Sequence, residues 1–322
     1  MLGVLSTTGS IFALIVLGYV SVLIGVFTKA HLRLFGRYVI NFALPALIFR
    51  AVTASELAEV IDPGYLVIYL LASMSAFCIG FLVSWRILGL TALASTFQGM
   101  GMSCSNTGFV GYPLLLMTLP AVAPTVLALN MTIENLIMLP IVLILAELST
   151  GKGRNRWILA RDVFGRMLTR NPIVVALIVG LFFSILRVPL PVIVTRPIEI
   201  VADSSAAVSL MVIGGTLVGL PLKSIDARVL LVVGGKLFLF PALVFVSLLV
   251  FAQIGFRPGS TELWQALVIS AALPAPGIYP IVAQRYGEES NAALAMLLMV
   301  AISFFTLTFV LMAFGLGASG GF

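Results

Sequence analysis

Apolar residues along this chain run in ten long blocks, at about 8–27, 33–54, 63–85, 92–118, 122–148, 171–187, 197–220, 228–253, 263–286 and 290–316, separated by short polar connections. A helix needs about 20 apolar residues to cross a bilayer, so the pattern predicts an all-α integral membrane protein with ten transmembrane helices. The first block has no lysine or arginine before Lys29. It therefore lacks the basic start of a secretion signal and is expected to be the first span. Ten spans in 322 residues leave no room for a separate soluble domain.

Composition agrees, because 61% apolar residues, 9% charged residues and a mean hydropathy of +1.19 cannot keep a globule soluble. Cys78 and Cys104 both lie in apolar runs, where they are expected to be buried as small apolar residues, and His31 is the single histidine. No metal site or disulfide framework is expected from these.

The connections set the orientation, since lysine and arginine stay on the cytoplasmic side. Lys29, Arg33 and Arg37, then Arg86, then Lys152, Arg154, Arg156, Arg161, Arg166 and Arg170, then Lys223 and Arg228 mark alternate connections. The others hold Glu56, Glu59 and Asp62, then Arg187 and Arg196, then Arg257 and Glu262. Both termini are thus expected outside a cell inner membrane. The basic loops also account for the net charge of +6 without a nucleic-acid partner.

The most basic connection, 150–170, separates a first five-helix repeat, 1–149, from a second, 171–322. Five is odd, so the second half would enter the membrane upside down, an inverted repeat of the transporter type. A shift of 167 positions places Tyr112 and Pro113 on Tyr279 and Pro280, and Gln98 on Gln265. The fourth and ninth spans are therefore expected to be partners.

Both read as broken helices. "SNTGFVGYPL" at 105–114 puts Asn106, Thr107, Gly108, Gly111 and Pro113 inside an apolar run, and "AALPAPGIYPIVAQRYG" at 271–287 puts Pro274, Pro276 and Pro280 around Gly277. Each interior proline costs a helix about 3 kcal/mol or more. Unwound backbone persists at membrane depth only when protein-buried or lining a wet cavity, so two breaks at matching depths imply a shared polar cavity. Two half-helices begin there, and their N-termini favour an anion. The opposing half-helices end there with bare carbonyls suited to a cation such as Na⁺. Asn106 can orient a carboxylate without adding net charge, and the flanking Thr107, Gly108, Pro276 and Gly277 are candidates to line the same site. Tyr112 and Tyr279 can wall it, donate a hydroxyl hydrogen bond or simply pack.

These stretches resemble the auxin efflux carrier family. "SNTGFVGYPLL" at 105–115 and "LPAPGIYPIVAQRYG" at 273–287 are similar to its two crossover motifs, "NFALPALIF" at 41–49 to its second-helix signature and "NPIVVALIVGL" at 171–181 to the opening of its second repeat. The resemblance implies two inverted five-helix repeats, a panel of scaffold helices and a transport domain crossed by broken helices 4 and 9. It also implies a substrate carboxylate held at Asn106, with Pro113 and Pro280 as crossing prolines. The short central linker resembles the bacterial malonate and malate carriers rather than the plant exporters, and a homodimer is carried over from the plant members.

Charged groups within spans cost at least about 2.5–3.5 kcal/mol. Glu134, with Asn130 and Asn135, is a candidate to carry a coupled proton, or else a hydrogen-bonding group or a partner for Lys236. Arg50 can attract anions from outside or anchor a helix end. Asp203 is undecided, and Asn41 with Pro45 suggests a kink. No phosphate-cradling loop and no nucleophile-base pair are present, so neither a pump nor an enzyme is expected. The expected activity is alternating-access transport of a small organic anion, a mono- or dicarboxylate such as malonate or malate, with no cofactor and with Na⁺ or H⁺ as a candidate coupling ion. An anion channel and a bile-acid-symporter-like or Na⁺/H⁺-type carrier are the alternatives.

Overall fold

The chain is seen in a computed structural model that describes residues 2–54, 61–150, 156–187, 190–219 and 225–316. Glu56, Glu59, Lys152, Arg154 and Lys223 lie outside the described residues. Every regular element among the described residues is helical. In chain order they are α1 (Leu2–Leu23), α2 (Lys29–Tyr38), α3 (Leu44–Ala54), α4 (Pro63–Arg86), α5 (Ala92–Ser103), α6 (Tyr112–Thr118), α7 (Ala123–Ile133) and α8 (Leu139–Ser149). They continue with α9 (Arg156–Arg170), α10 (Pro172–Ile185), α11 (Val192–Thr216), α12 (Ala227–Gly234), α13 (Phe240–Gln253), α14 (Thr261–Ala272), α15 (Ile278–Gln284) and α16 (Glu289–Ala313).

Among the described residues, six continuous runs are long and apolar enough to cross a membrane: Lys29–Thr53, Pro63–Arg86, Ala123–Ser149, Val192–Thr216, Ala227–Gln253 and Glu289–Ala313. The pair Ile158–Arg170 and Pro172–Ile185, bent by 67°, makes a seventh if counted as one. The chain is thus a multi-pass membrane protein. Polar side chains cap the helices where they start, as Asp62 does by accepting from Tyr65 N at 2.6 Å and Asn171 by accepting from Ile173 N at 3.0 Å.

Three of the long runs contain a wide turn followed two residues later by proline, and so does the fourth block. Val39–Ala43 precedes Pro45, Thr107–Gly111 precedes Pro113, Glu134–Met138 precedes Pro140 and Gly235–Leu239 precedes Pro241. In each, the residue before the proline donates five residues back, as Tyr112 N does to Thr107 O. The physical reason is proline's clash with the carbonyl four residues earlier. One extra residue in the turn swings that carbonyl aside, so the helix bends without ending, which is what Asn41 and Pro45 suggested for the second block.

The helices sort into two bodies by their packing. A panel is formed by α1, α2, α3, α10 and α11. In it α1 and α11 press together at Gly214, where an added Cβ would sit 1.7 Å from Ile15 O. A core is formed by α4, α5, α7, α8 and α12 to α16. The 150–170 linker, expected as a connection, contains α9. Its Leu159, Val163 and Met167 recur every four residues and are buried, while Phe164, Leu168, Arg161, Arg166 and Arg170 are exposed. Such a helix suits the headgroup layer, not open water.

The cysteine expectation needs one correction. Cys104 is buried, but Cys78 is exposed, on the outer face of α4. A small apolar side chain is equally at home against lipid.

Candidate substrate site at the crossing

The fourth and ninth blocks are both interrupted. α5 stops at Ser103, Cys104 turns extended (φ −104°, ψ 142°), and helical backbone resumes at Thr107. α14 stops at Ala272, Leu273 is extended (φ −65°, ψ 152°), and α15 begins at Ile278. The two breaks meet: Asn106 N donates to Pro274 O at 2.8 Å, and Ser105 Oγ donates to Ser270 O at 2.7 Å. Backbone groups freed by the interruptions thus satisfy one another, which membrane depth requires. Gly111 permits the approach, since a Cβ there would lie 2.5 Å from Leu273 Cδ1.

The prolines do different work from what their positions suggested. Pro274 and Pro276 lie in the second break, but Pro280 sits in the first turn of α15, and Pro113 follows the wide turn at the start of α6. A proline in a first turn costs little because its missing N–H has no helical partner there. The crossing point is therefore Asn106 with Pro274, one to two turns before Pro113 and Pro280.

A small cavity, partly open to solvent, lies between panel and core at this point. Of the candidate residues, Asn106, Thr107, Gly108, Pro276, Gly277, Glu134 and Asn135 line it. Tyr112, Pro113, Tyr279, Pro280 and Asn130 are not in its wall. Tyr279 instead packs against Gly101, Tyr112 reaches toward Arg50, and Asn130 sits behind the wall. Cys104 and Ser105 and, from the panel, Ile40, Leu44 and Ile173 also line the cavity, and the sequence reading did not single these out. Ile40, Leu139 and Ile173 in its wall belong to helix halves that lead to basic connections, so this part of the cavity faces that side.

Asn106 is 1% exposed, and its Oδ1 caps the new half-helix by accepting from Phe109 N at 3.3 Å. Its Nδ2 has no hydrogen-bond partner among the described residues. A buried amide donor left unpaired costs about 1–3 kcal/mol, and here it belongs to a residue in the cavity wall beside two helix starts.

Behind Asn106 lies a buried polar network. Glu134 Oε1 accepts from Tyr69 OH at 2.8 Å, Ser105 N at 3.1 Å and Thr107 Oγ1 at 3.2 Å. Lys236 Nζ donates to Ser105 Oγ and to Ala271 O, each at 2.8 Å, and lies 4.3 Å from the Phe240 ring centroid. Asn130 Nδ2 donates to Ser270 Oγ at 3.0 Å, and Tyr65 OH donates to Asn130 Oδ1 at 2.9 Å. Glu134 and Lys236 are thus joined through Ser105, and their formal charges offset each other. Ala271 O is one of the bare carbonyls ending α14, and a lysine ammonium occupies it.

Sequence comparison decides the family. The family described as "Membrane transport protein" matches residues 4–311, nearly the whole chain. The chain belongs to this membrane transport protein family. It is the auxin efflux carrier family that the crossover motifs resemble. The membrane transport family member is 25% identical over 309 residues to a Rhizobium meliloti (strain 1021) protein described as "Putative malonate transporter", covering 95% of this chain and 94% of that one. It is also 28% identical over 222 residues to a mouse protein, "Lysosomal cholesterol signaling protein", covering 65% of this chain and 25% of that one.

Proposed function

We propose that this protein is a secondary transporter that moves a small organic anion, a mono- or dicarboxylate such as malonate or malate, across the inner membrane by alternating access. The observation that carries the proposal is the unpartnered Asn106 amide at the crossing of two broken helices, within a cavity between two helical bodies. A carboxylate would accept from Asn106 Nδ2 while the helix starts at Thr107 and Ile278 favour its charge. Family membership and the name of the Rhizobium relative support the same substrate class.

In this reading the ten apolar blocks are ten spans, with α5 to α6 and α14 to α15 as the broken fourth and ninth. Residues 1–149 and 171–322 are inverted repeats joined by the basic linker at 150–170. The basic connections face the cytoplasm and both termini face outward, so the cavity is open inward. The panel is the scaffold, through which the protein would dimerise, and the core carries Asn106 past it. Because Lys236 already fills the carbonyl site at the end of α14, the coupling ion in this reading is H⁺, through Glu134, and not Na⁺.

The test is counterflow of labelled malonate and malate in proteoliposomes, together with thermal stabilisation by a panel of carboxylates, each with and without Na⁺. Saturable exchange with either acid is expected. Ohmic anion current without exchange would replace the carrier with a channel, and a strict Na⁺ requirement would remove the role given to Lys236.

A further inference from the structure

Across the crossing from the cavity, panel and core meet on the side away from the basic connections, and there a charged cluster stands that the substrate site does not use. Arg50 on α3 donates through Nη1 to Asp203 Oδ1 on α11 at 2.6 Å. Both residues belong to the panel. The Tyr112 side chain of α6, the half-helix that follows the crossing and packs on both α1 and α7, lies beside Arg50, and Tyr112 is 5% exposed. Nearby, Ser209 Oγ of α11 donates at 3.3 Å to Phe109 O, the carbonyl that the wide turn before Pro113 swings out of the helix. Arg50 therefore has its ion-pair partner on the panel and, beside it, a tyrosine on the half-helix that leaves the crossing.

The Asp203 side chain is 69% exposed and that of Arg50 28%. Asp203 lies eleven residues into α11, well within the span. A carboxylate so exposed at that depth cannot face hydrocarbon, where it would cost several kcal/mol, so water reaches it from the outer side. The Arg50 side chain, 28% exposed, then borders the same water-filled vestibule, and the buried Tyr112 lies behind it.

We propose that Arg50 is the outer-side receptor for the substrate carboxylate and, through Tyr112, the latch of the outer gate. In the inward-open arrangement Asp203 and Tyr112 occupy the guanidinium. When the core moves and takes Tyr112 with it, Arg50 keeps Asp203 but gains free donors directed at the vestibule, and a carboxylate entering from outside takes the place of the tyrosine. A planar guanidinium with five donors can hold both carboxylates at once. Asp203 lowers the attraction enough for the anion to move on to Asn106. This inference rests on the carboxylate-transport reading above.

Initial-rate uptake of labelled malonate and malate, measured in right-side-out and in inverted vesicles, tests it. Arg50→Gln is expected to raise the half-saturation concentration about tenfold from the outer side, the loss of a hydrogen bond to a charged group, with inner-side values within about twofold. Asp203→Asn is expected to act the opposite way and lower the outer-side value several-fold, while Arg50→Lys restores part of the loss. Damage to the fold would worsen both variants on both sides, so equal effects on the two sides, or outer-side losses in both Arg50→Gln and Asp203→Asn, overturn the inference and leave the transport reading standing. A wild-type protein that carries neither acid in either orientation overturns both.

Discussion

The two breaks occupy corresponding places in the two halves of the chain and touch each other, yet they are built from different materials. At the first, Ser105, Asn106 and Thr107 all carry side-chain hydrogen-bonding groups, and Ser105 and Thr107 are tied to Glu134, Asn130 and Lys236. At the second, Leu273 to Gly277 carries prolines, an alanine and a glycine and offers only backbone: Pro274 O to Asn106, and Ala271 O just before it to Lys236. One break supplies chemistry and the other supplies shape. A carboxylate held at the crossing would take its directional bond from the first, and the second keeps the neighbouring helix from filling the space.

The largest effect expected from this difference is structural. Lys236 is 0% exposed, and removing one member of a buried charged network costs about 3–5 kcal/mol because the other is left uncompensated. Lys236→Met should lower thermal stability by that order, and adding Glu134→Gln to it should recover a large part. A double variant as unstable as the sum of the two single ones would show that Ser105 does not couple them.

Next comes Asn106→Ala. Losing a hydrogen bond to a charged ligand is worth about 1.5–3 kcal/mol, or roughly 10- to 150-fold in affinity. Titration calorimetry with malonate should show that loss. Thermal stability without ligand should change little, since the Nδ2 donor has no partner among the described residues to lose and only the cap to Phe109 N disappears. Affinity equal to wild type would move the substrate elsewhere in the cavity.

Much of this was legible in the residues. Apolar blocks placed the helices, and prolines and glycines in 105–114 and 271–287 placed both interruptions, because a span cannot hide its breakers among polar loops as a soluble helix can. What was not legible has a common physical cause. Proline does not say whether it will break a helix or be absorbed by a wide turn, and Pro113 and Pro140 were absorbed while Pro274 and Pro276 were not. Nor does a charged residue announce its partner, so Arg50 and Asp203, 153 positions apart, could be paired only once α3 and α11 were seen to pack. The helix within 150–170 was masked by its arginines, although Leu159, Val163 and Met167 at four-residue spacing were a usable signal.

Glu134→Gln tests whether the first break also titrates. The amide keeps an acceptor for Tyr69, Ser105 and Thr107 but cannot ionise, so the pH profile of uptake should flatten when measured below the reduced melting temperature that the uncompensated Lys236 brings. The other titratable groups near this carboxyl are Tyr69, Tyr65, Lys236 and Cys104, and none of the four is altered in the variant. A profile identical to wild type would make Glu134 a purely structural acceptor, and the chemistry of the first break would then reduce to Asn106.

The smallest effect is expected at the second break, and it bears most directly on the contrast between the two. Pro276 lines the cavity, but its ring has no polar atom to offer, and its carbonyl already accepts from Tyr279 N at 2.9 Å. Pro276→Ala keeps that carbonyl and relaxes only the chain's stiffness, worth about 0.4–1 kcal/mol in stability. Malonate affinity should stay within about threefold of wild type, because no donor or acceptor to the ligand is removed. If Pro276→Ala costs as much affinity as Asn106→Ala, the second break does more than hold space: its rigid backbone must present the N–H groups at the start of α15 to the anion, and the two interruptions would share the ligand equally.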